Sequence, residues 1–217
     1  LQDNIPNIMK TIQWKKSMRW GDHDLNWARP LKSILAIFKN QTLVFKFHHI
    51  LSSNITFLDK EFEDKTRIFK NFKNYTNYFK KNGVIIDNNE RKQLIRNELL
   101  KQSNKGNFNL EINENLLQEV TDLVEKPVIL TCAFDRKFLK MPKEILVTTM
   151  QYHQKYFPTF NNKKEISNKF LVVANNDDKK GFIKLGNERV VEARLNDAEF
   201  FWNKDKSQNL VKKVSEL

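Results

Sequence analysis

Four consecutive residues, His153-Gln154-Lys155-Tyr156, bring together an imidazole, an amide, an ammonium and a phenol. On RNA such a set could stack a base on Tyr156 and hold a phosphate with His153 and Lys155. At a helix end the same cations would instead complement the helix dipole. Arg189 and Arg194 could grip phosphates or form bidentate pairs with carboxylates. Glu192, Asp197 and Glu199 stand close by at helical spacing, so side-chain pairing is the preferred reading. Arg19 and Arg29 flank Trp20 and Trp27. That placement suits cation–π packing, the preferred reading, or contact with RNA. Asp22-His23-Asp24 looks like an acid–base cluster, but neighbours on an extended chain point to opposite faces. Turn and capping roles fit it better. The lysine pairs 15–16, 80–81, 163–164, 179–180 and 212–213 read as solvated tips whose effect on a polyanion would be collective.

Local catalytic signals are lacking. The five glycines, at 21, 83, 106, 181 and 186, have neither phosphate-loop nor dinucleotide spacing. There is no G-x-S-x-G elbow. One cysteine and four histidines give no structural zinc pattern. No catalytic residue and no metal site are therefore expected. Cys132, inside the apolar run 128–134, reads as a small buried hydrophobe.

The elements that would carry these residues follow from periodicity and turn chemistry. Residues 14–30 read as a loop anchored by Trp14, Trp20 and Trp27. Pro30 opens a predicted helix over 31–38, with apolar residues at 31, 34, 35 and 38. Residues 41–48 alternate as a strand. Phe62, Phe69, Phe72, Tyr75 and Phe79 predict a helix over 60–82, its other faces rich in lysine. Val84-Ile85-Ile86 reads as a strand. Asp87 or Asn88 caps a helix over 88–102, and 104–107 is loop. Asn113 caps a helix to Glu125, Pro127 stops it, and 128–134 is a buried strand. Pro142 opens another helix. Strands over 156–160 and 169–175 follow, joined across the polar tip 161–164. A last helix over 186–206 turns Val191, Leu195, Ala198 and Trp202 inward. The mixture predicts an α+β fold: a mixed β-sheet core with packed helices and a helical insertion. We expect residues 1–58 and 109–217 to form the body and 59–108 the insertion.

The chain has 217 residues and a net charge of +12, from 38 Lys and Arg against 26 Asp and Glu. A surface of that sign attracts polyanions. Heavy use of Asn, Lys, Ile and Phe, as A+T-rich coding produces, accounts for part of the excess. No apolar run approaches the ~20 residues of a membrane span. No signal-peptide pattern is visible, so a cytoplasmic protein is expected.

Five segments carry a resemblance. They are Ser17-Met18-Arg19-Trp20-Gly21-Asp22 with Ala28-Arg29-Pro30-Leu31; Leu117 to Val128, with Lys126 where Trp is usual; Pro142 to Pro158; Phe170-Leu171-Val172-Val173-Ala174-Asn175; and Gly186-Asn187-Glu188-Arg189-Val190-Val191 to Phe201. In this order they resemble the bacterial glycyl-tRNA synthetase β subunit. Phe47-His48-His49-Ile50 departs from that family's G-H-R-F. The resemblance implies a piece of the N-terminal half of that subunit, working with an α subunit in an α2β2 assembly on tRNA(Gly), away from membranes. It also implies that ATP and Mg are used through the α subunit. The pattern of elements loosely resembles the tRNA-editing-type region of the phenylalanyl-tRNA synthetase β subunit. A hydrolytic editing domain and a general RNA-binding module are the alternatives.

Overall fold

The computed structural model describes residues 1–57 and 66–207, and the chain divides into two compact units, 1–83 and 84–217. Both mix helices with antiparallel strands, so the α+β expectation holds. Helices α2 and α3, expected together within 59–108, fall in different units.

The N-terminal unit starts with α1 (Asn4–Lys10) and continues as short antiparallel pairs. These are β1 (Met18–Arg19) with β2 (Asn26–Trp27), β3 (Ile37–Phe38) with β4 (Gln41–Thr42), β5 (Lys46–Phe47) with β6 (Ile50–Leu51), and β7 (Ile55–Phe57) with β8 (Thr66–Ile68). It ends in α2 (Phe72–Lys81), capped by the Asn71 side chain on the Asn74 N–H. Leu25, Phe45 and Phe47 form its buried centre.

Three expectations for this unit are corrected. Residues 31–38 are not helical. The Ala36 N–H donates to the Ser53 carbonyl, Ser53 donates to Ile34, and Leu43 donates to Ala36. Long-range partners thus take the backbone groups a helix would need, and β-branched Ile34 and Ile37 suit the extended form. The single strand expected over 41–48 is instead parts of two hairpins. Lys39 and Asn40, with φ of 48° and 63°, make the tight turn between β3 and β4. His48, with φ of 50°, begins the turn between β5 and β6. The helix expected over 60–82 covers only 72–81, with β8 before it; residues 58–65 lie outside the described residues.

The C-terminal unit contains α3 (Asn88–Gly106), β9 (Asn109–Leu110), α4 (Glu114–Leu123), β10 (Val128–Ala133), α5 (Lys143–Thr148), β11 (Phe157–Phe160), β12 (Ile166–Ala174) and α6 (Phe182–Lys206). Its four strands form one antiparallel sheet, ordered β10-β12-β11-β9. Alternation along the strands buries both faces. Leu130, Cys132, Phe170 and Val172 join the core with Leu146 of α5 and Val191 and Leu195 of α6. Ile129, Leu171, Val173 and Phe157 pack with Ile95 and Leu99 of α3 and Leu117 and Val120 of α4.

The predicted caps are present. The Asp87 carboxylate accepts from the Glu90 N–H, and the Asn113 amide oxygen from Asn115 and Leu116. Residues 84–86 form no strand. Ile85 donates one bond to the Glu125 carbonyl, and buried Arg91 donates to Thr121, Ile85 and Ile86 carbonyls. The loop expected at 104–107 is helical to Gly106, and Asn107 closes α3 in the left-handed conformation. Helix α6 begins at Phe182, four residues before its expected start. The Asp178 carboxylate accepts from the N–H groups of Ile183 and Lys184, satisfying its first turn.

Candidate functional site

A cleft of about 350 Å³ opens in the C-terminal unit where β11 begins and β12 finishes. Val120, Leu123 and Val124 of α4 wall one side, and Ile183 and Asn187 of α6 another. Gln154, Lys155 and Tyr156 enter from the segment before β11, and Asn175 and Asn176 from the end of β12. Four of the five segments that carry the family resemblance meet here.

The junction between α5 and β11 places Lys155 and Tyr156. After α5 the chain makes a π-helical turn, Thr149–His153. Lys155 then takes a left-handed φ of 61°, and the Tyr156 N–H donates back to the Met150 carbonyl. This closure spans one residue more than a usual left-handed helix ending, as the wider turn requires. The Lys155 ammonium lies 2.9 Å from the Glu119 carboxylate of α4.

Tyr156 is buried, and its ring stacks on Phe170 with centroids 5.3 Å apart. Its hydroxyl donates to the Asn187 amide oxygen, and the Asn187 NH2 donates to the Ile183 carbonyl. One residue on, the Glu188 carboxylate accepts from the Ala133 N–H at 2.9 Å, at the end of edge strand β10. The Asn175 amide oxygen accepts from the backbone N–H groups of Glu125 and Lys126. Tyr156, Asn175, Asn187 and Glu188, all in family-like segments, therefore act as fasteners between elements distant in sequence.

Burial pushes the Cys132 thiol up to about 12, with the Glu188 charge adding to it. Burial, then Cys132, pushes the Tyr156 phenol up to about 12. Both are held in their neutral, weakly nucleophilic forms at neutral pH. Among the described residues, no group of three His, Cys, Asp or Glu is placed to hold a metal ion. Apolar walls from Val120, Leu123, Val124 and Ile183 meet a rim of amides from Gln154, Asn175, Asn176 and Asn187.

The seven residues singled out in the sequence do not converge. Lys155 and Tyr156 line the cleft, whereas His153 is exposed at the end of the π-helical turn. Arg189 and Arg194 are exposed on α6. Neither forms an ion pair among the described residues, against the expectation of pairing with Glu192, Asp197 or Glu199. Both run in solvent, where such a pair is worth only a few tenths of a kcal/mol and does not fix the side chain. Arg19 and Arg29 belong to the other unit, both exposed. Arg19 lies 3.7 Å from Asp24, and neither guanidinium covers a tryptophan among the described residues, so the packing expected there is not formed. The tryptophans pack with one another instead: Trp20 Nε1 donates to the Trp27 carbonyl, and Trp14 meets Trp27 edge-on. His23 of the Asp-His-Asp turn stacks on His49 at 3.5 Å. Sequence reasoning missed Gln154, Asn175, Asn176 and Asn187 as cleft residues. Three of them lie within the family-like segments, but uncharged amides give no ionic or periodic signal.

The C-terminal unit is thus a helix-flanked antiparallel sheet with a cleft at one end. Sequence comparison is more specific. The family model described as glycyl-tRNA synthetase beta subunit matches residues 1–217, and the chain belongs to that family. The glycine–tRNA ligase beta subunit of Clostridioides difficile (strain 630) is 37% identical over 218 residues, covering 100% of this chain and 32% of the relative. The beta subunit of Rickettsia bellii (strain OSU 85-389) is 35% identical over 218 residues, with 100% and 33% covered. That of Listeria monocytogenes serotype 4a (strain HCC23) is 34% identical over 218 residues, with 100% and 32% covered. The chain thus spans about a third of the length of the curated relatives it matches.

Proposed function

We propose that this chain is a tRNA-positioning and assembly region of a glycine–tRNA ligase β subunit. It works with an α subunit in an α2β2 enzyme of the cytoplasm and binds tRNA(Gly). Glycine activation with ATP and Mg takes place on the α subunit, while this region braces the complex and supplies a positive surface. The observation that carries the reading is the family match over the whole chain, joined to a net charge of +12. Two further observations support a binding role. The Tyr156 phenol in the cleft, and the Cys132 thiol in the core beside it, are held neutral. Asn175, Asn187 and Glu188 are engaged in joining secondary-structure elements.

The test is made on the full-length β subunit with and without its α partner. Glycine-dependent ATP–pyrophosphate exchange is expected only when α is present. tRNA(Gly) binding is expected to weaken steeply with salt. Exchange by the β subunit alone, or tRNA affinity indifferent to salt, overturns the reading. Hydrolysis of mischarged tRNA by the β subunit alone would favour an editing domain instead.

A further inference from the structure

The β8–α2 segment brings cations and aromatic rings together without acids. From Thr66 to Ile86 the sequence holds Arg67, Lys70, Lys73, Lys80 and Lys81, and no Asp or Glu. Arg67, Lys70, Lys73 and Lys81 are exposed, and none forms an ion pair among the described residues. The acids just before this stretch, Asp59, Glu61, Glu63 and Asp64, lie outside the described residues. Counting them, residues 58–83 still hold seven Lys and Arg against four Asp and Glu.

The rings form a ladder from core to solvent. Buried Phe69 meets Tyr75, Tyr78 and Phe79 at 5.3, 5.5 and 6.1 Å. Tyr75 carries Phe72, nearly parallel at 6.4 Å. Phe72 ends the ladder 72% exposed. On the other side the Arg67 guanidinium sits over Tyr78, 5.9 Å from its centroid. An exposed phenylalanine alone is ordinary. One held by a packed tyrosine and flanked by unpaired cations has the chemistry of a base-stacking platform: the ring takes a base and the cations take phosphates.

We propose that the β8–α2 face docks an unpaired stretch of tRNA, one base stacking on Phe72 while Arg67, Lys70 and Lys73 meet the backbone. The proposal rests on the tRNA-binding reading above and gives it a surface.

The test uses full-length β subunit assembled with α, and transcribed tRNA(Gly) as probe, over a salt series. Lys70→Glu with Lys73→Glu is expected to weaken binding at least tenfold near ~100 mM salt and to flatten the log–log salt slope by about 2. Phe72→Ala is expected to weaken it about five- to thirtyfold with the slope unchanged, since stacking carries no counterion release. Phe72→Trp keeps the affinity. Lys163→Glu with Lys164→Glu, on the β11–β12 turn, serves as a charge control of equal size and is expected to have a lesser effect. Thermal melting of each variant confirms folding, since the altered side chains are exposed. The inference is overturned if wild type binds tRNA and the Phe72 and lysine variants bind equally well. It is also overturned if the Lys163/Lys164 control loses as much, or if the β8–α2 variants lose only α-subunit assembly. Wild type that fails to bind tRNA at all defeats the tRNA-binding reading itself, and this proposal with it.

Discussion

The two units solve the folding problem differently. The first has 83 residues with 15 Lys and Arg against 7 Asp and Glu, a net +8; the second has 134 with 23 against 19, a net +4. The more basic unit is built from strands of two or three residues, the other around a sheet whose longest strand has nine. A sheet covered on both faces gathers its apolar residues into two clusters, and charge goes to the outside. The first unit leans on tight turns and ring contacts, and Arg67, Lys70 and Lys73 stand exposed with no ion pair among the described residues. The contrast is between a less basic unit built on a covered sheet and a smaller, more basic one built from hairpins.

The sharpest way to break this contrast is in the shared core of the sheet. Phe170 is fully buried between Tyr156 and Phe134. Phe170→Ala is expected to cost about 3–5 kcal/mol, from lost burial and the cavity left behind. Hydrogen exchange read on peptides from each unit should show β10, β11 and β12 losing protection together. An effect confined to Phe170's own strand would mean the sheet is less cooperative than its two-sided packing implies.

Alkaline pH probes the same core. The Cys132 and Tyr156 groups, which ordinarily ionise near 9.0 and 10.0, are both pushed up to about 12 in the fold. The unfolded chain releases these protons first. The stability they contribute is therefore whole below pH 9 and is lost as pH rises from 9 through 12. Urea midpoints for the C-terminal unit should fall across that window. Cys132→Ala should flatten the fall, and an unchanged profile would remove the thiol from the account.

A matched pair of fasteners compares the units directly. In the first, Ser52 Oγ accepts from the Phe45 N–H at 2.8 Å and donates to the Leu43 carbonyl at 2.7 Å. In the second, Glu188 accepts from the Ala133 N–H. Removing either leaves backbone groups unpartnered, worth about 1–3 kcal/mol. Ser52→Ala should cost the larger share of its unit's stability, because two-residue strands offer few other bonds. Equal fractional losses by local hydrogen exchange would show that the first unit is better braced than its strands suggest.

What the sequence made legible follows the same division. Caps are local chemistry, so Asp87 and Asn113 announced α3 and α4, and Pro127 announced the break before β10. The continuous apolar run over 128–134 reported a strand because both its faces are packed. The first unit gave weaker signals. Its hairpins turn at Lys39-Asn40 and at His48, without the glycine that usually marks such turns. The extended course of 34–36 is set by Ser53 and Leu43, partners that no local window contains. At the cleft, Lys155 and Tyr156 stood out by side-chain type. That the Tyr156 hydroxyl would be taken by Asn187, 31 residues on, is a consequence of packing alone.

The smallest expected effect concerns Lys126, which stands where the family pattern has Trp. Its ammonium bonds the Asp177 carboxylate at 2.8 Å, and that bond, then the ammonium's charge, holds the carboxyl below its ordinary range. Both side chains are partly exposed, so the pair is worth about 0.2–1 kcal/mol at most and is screened by salt. The turn after α4 does not depend on it. The Asn175 amide oxygen holds that turn through the backbone N–H groups of Glu125 and Lys126, which any non-proline side chain at 126 leaves in place. Lys126→Ala should therefore shift the urea midpoint of the C-terminal unit barely, and less still in high salt, while Asn175→Ala should cost more than 1 kcal/mol. If the order of these two variants were reversed, the side chain at 126 would be the fastener, and the departure from Trp would need a compensating contact elsewhere in the unit.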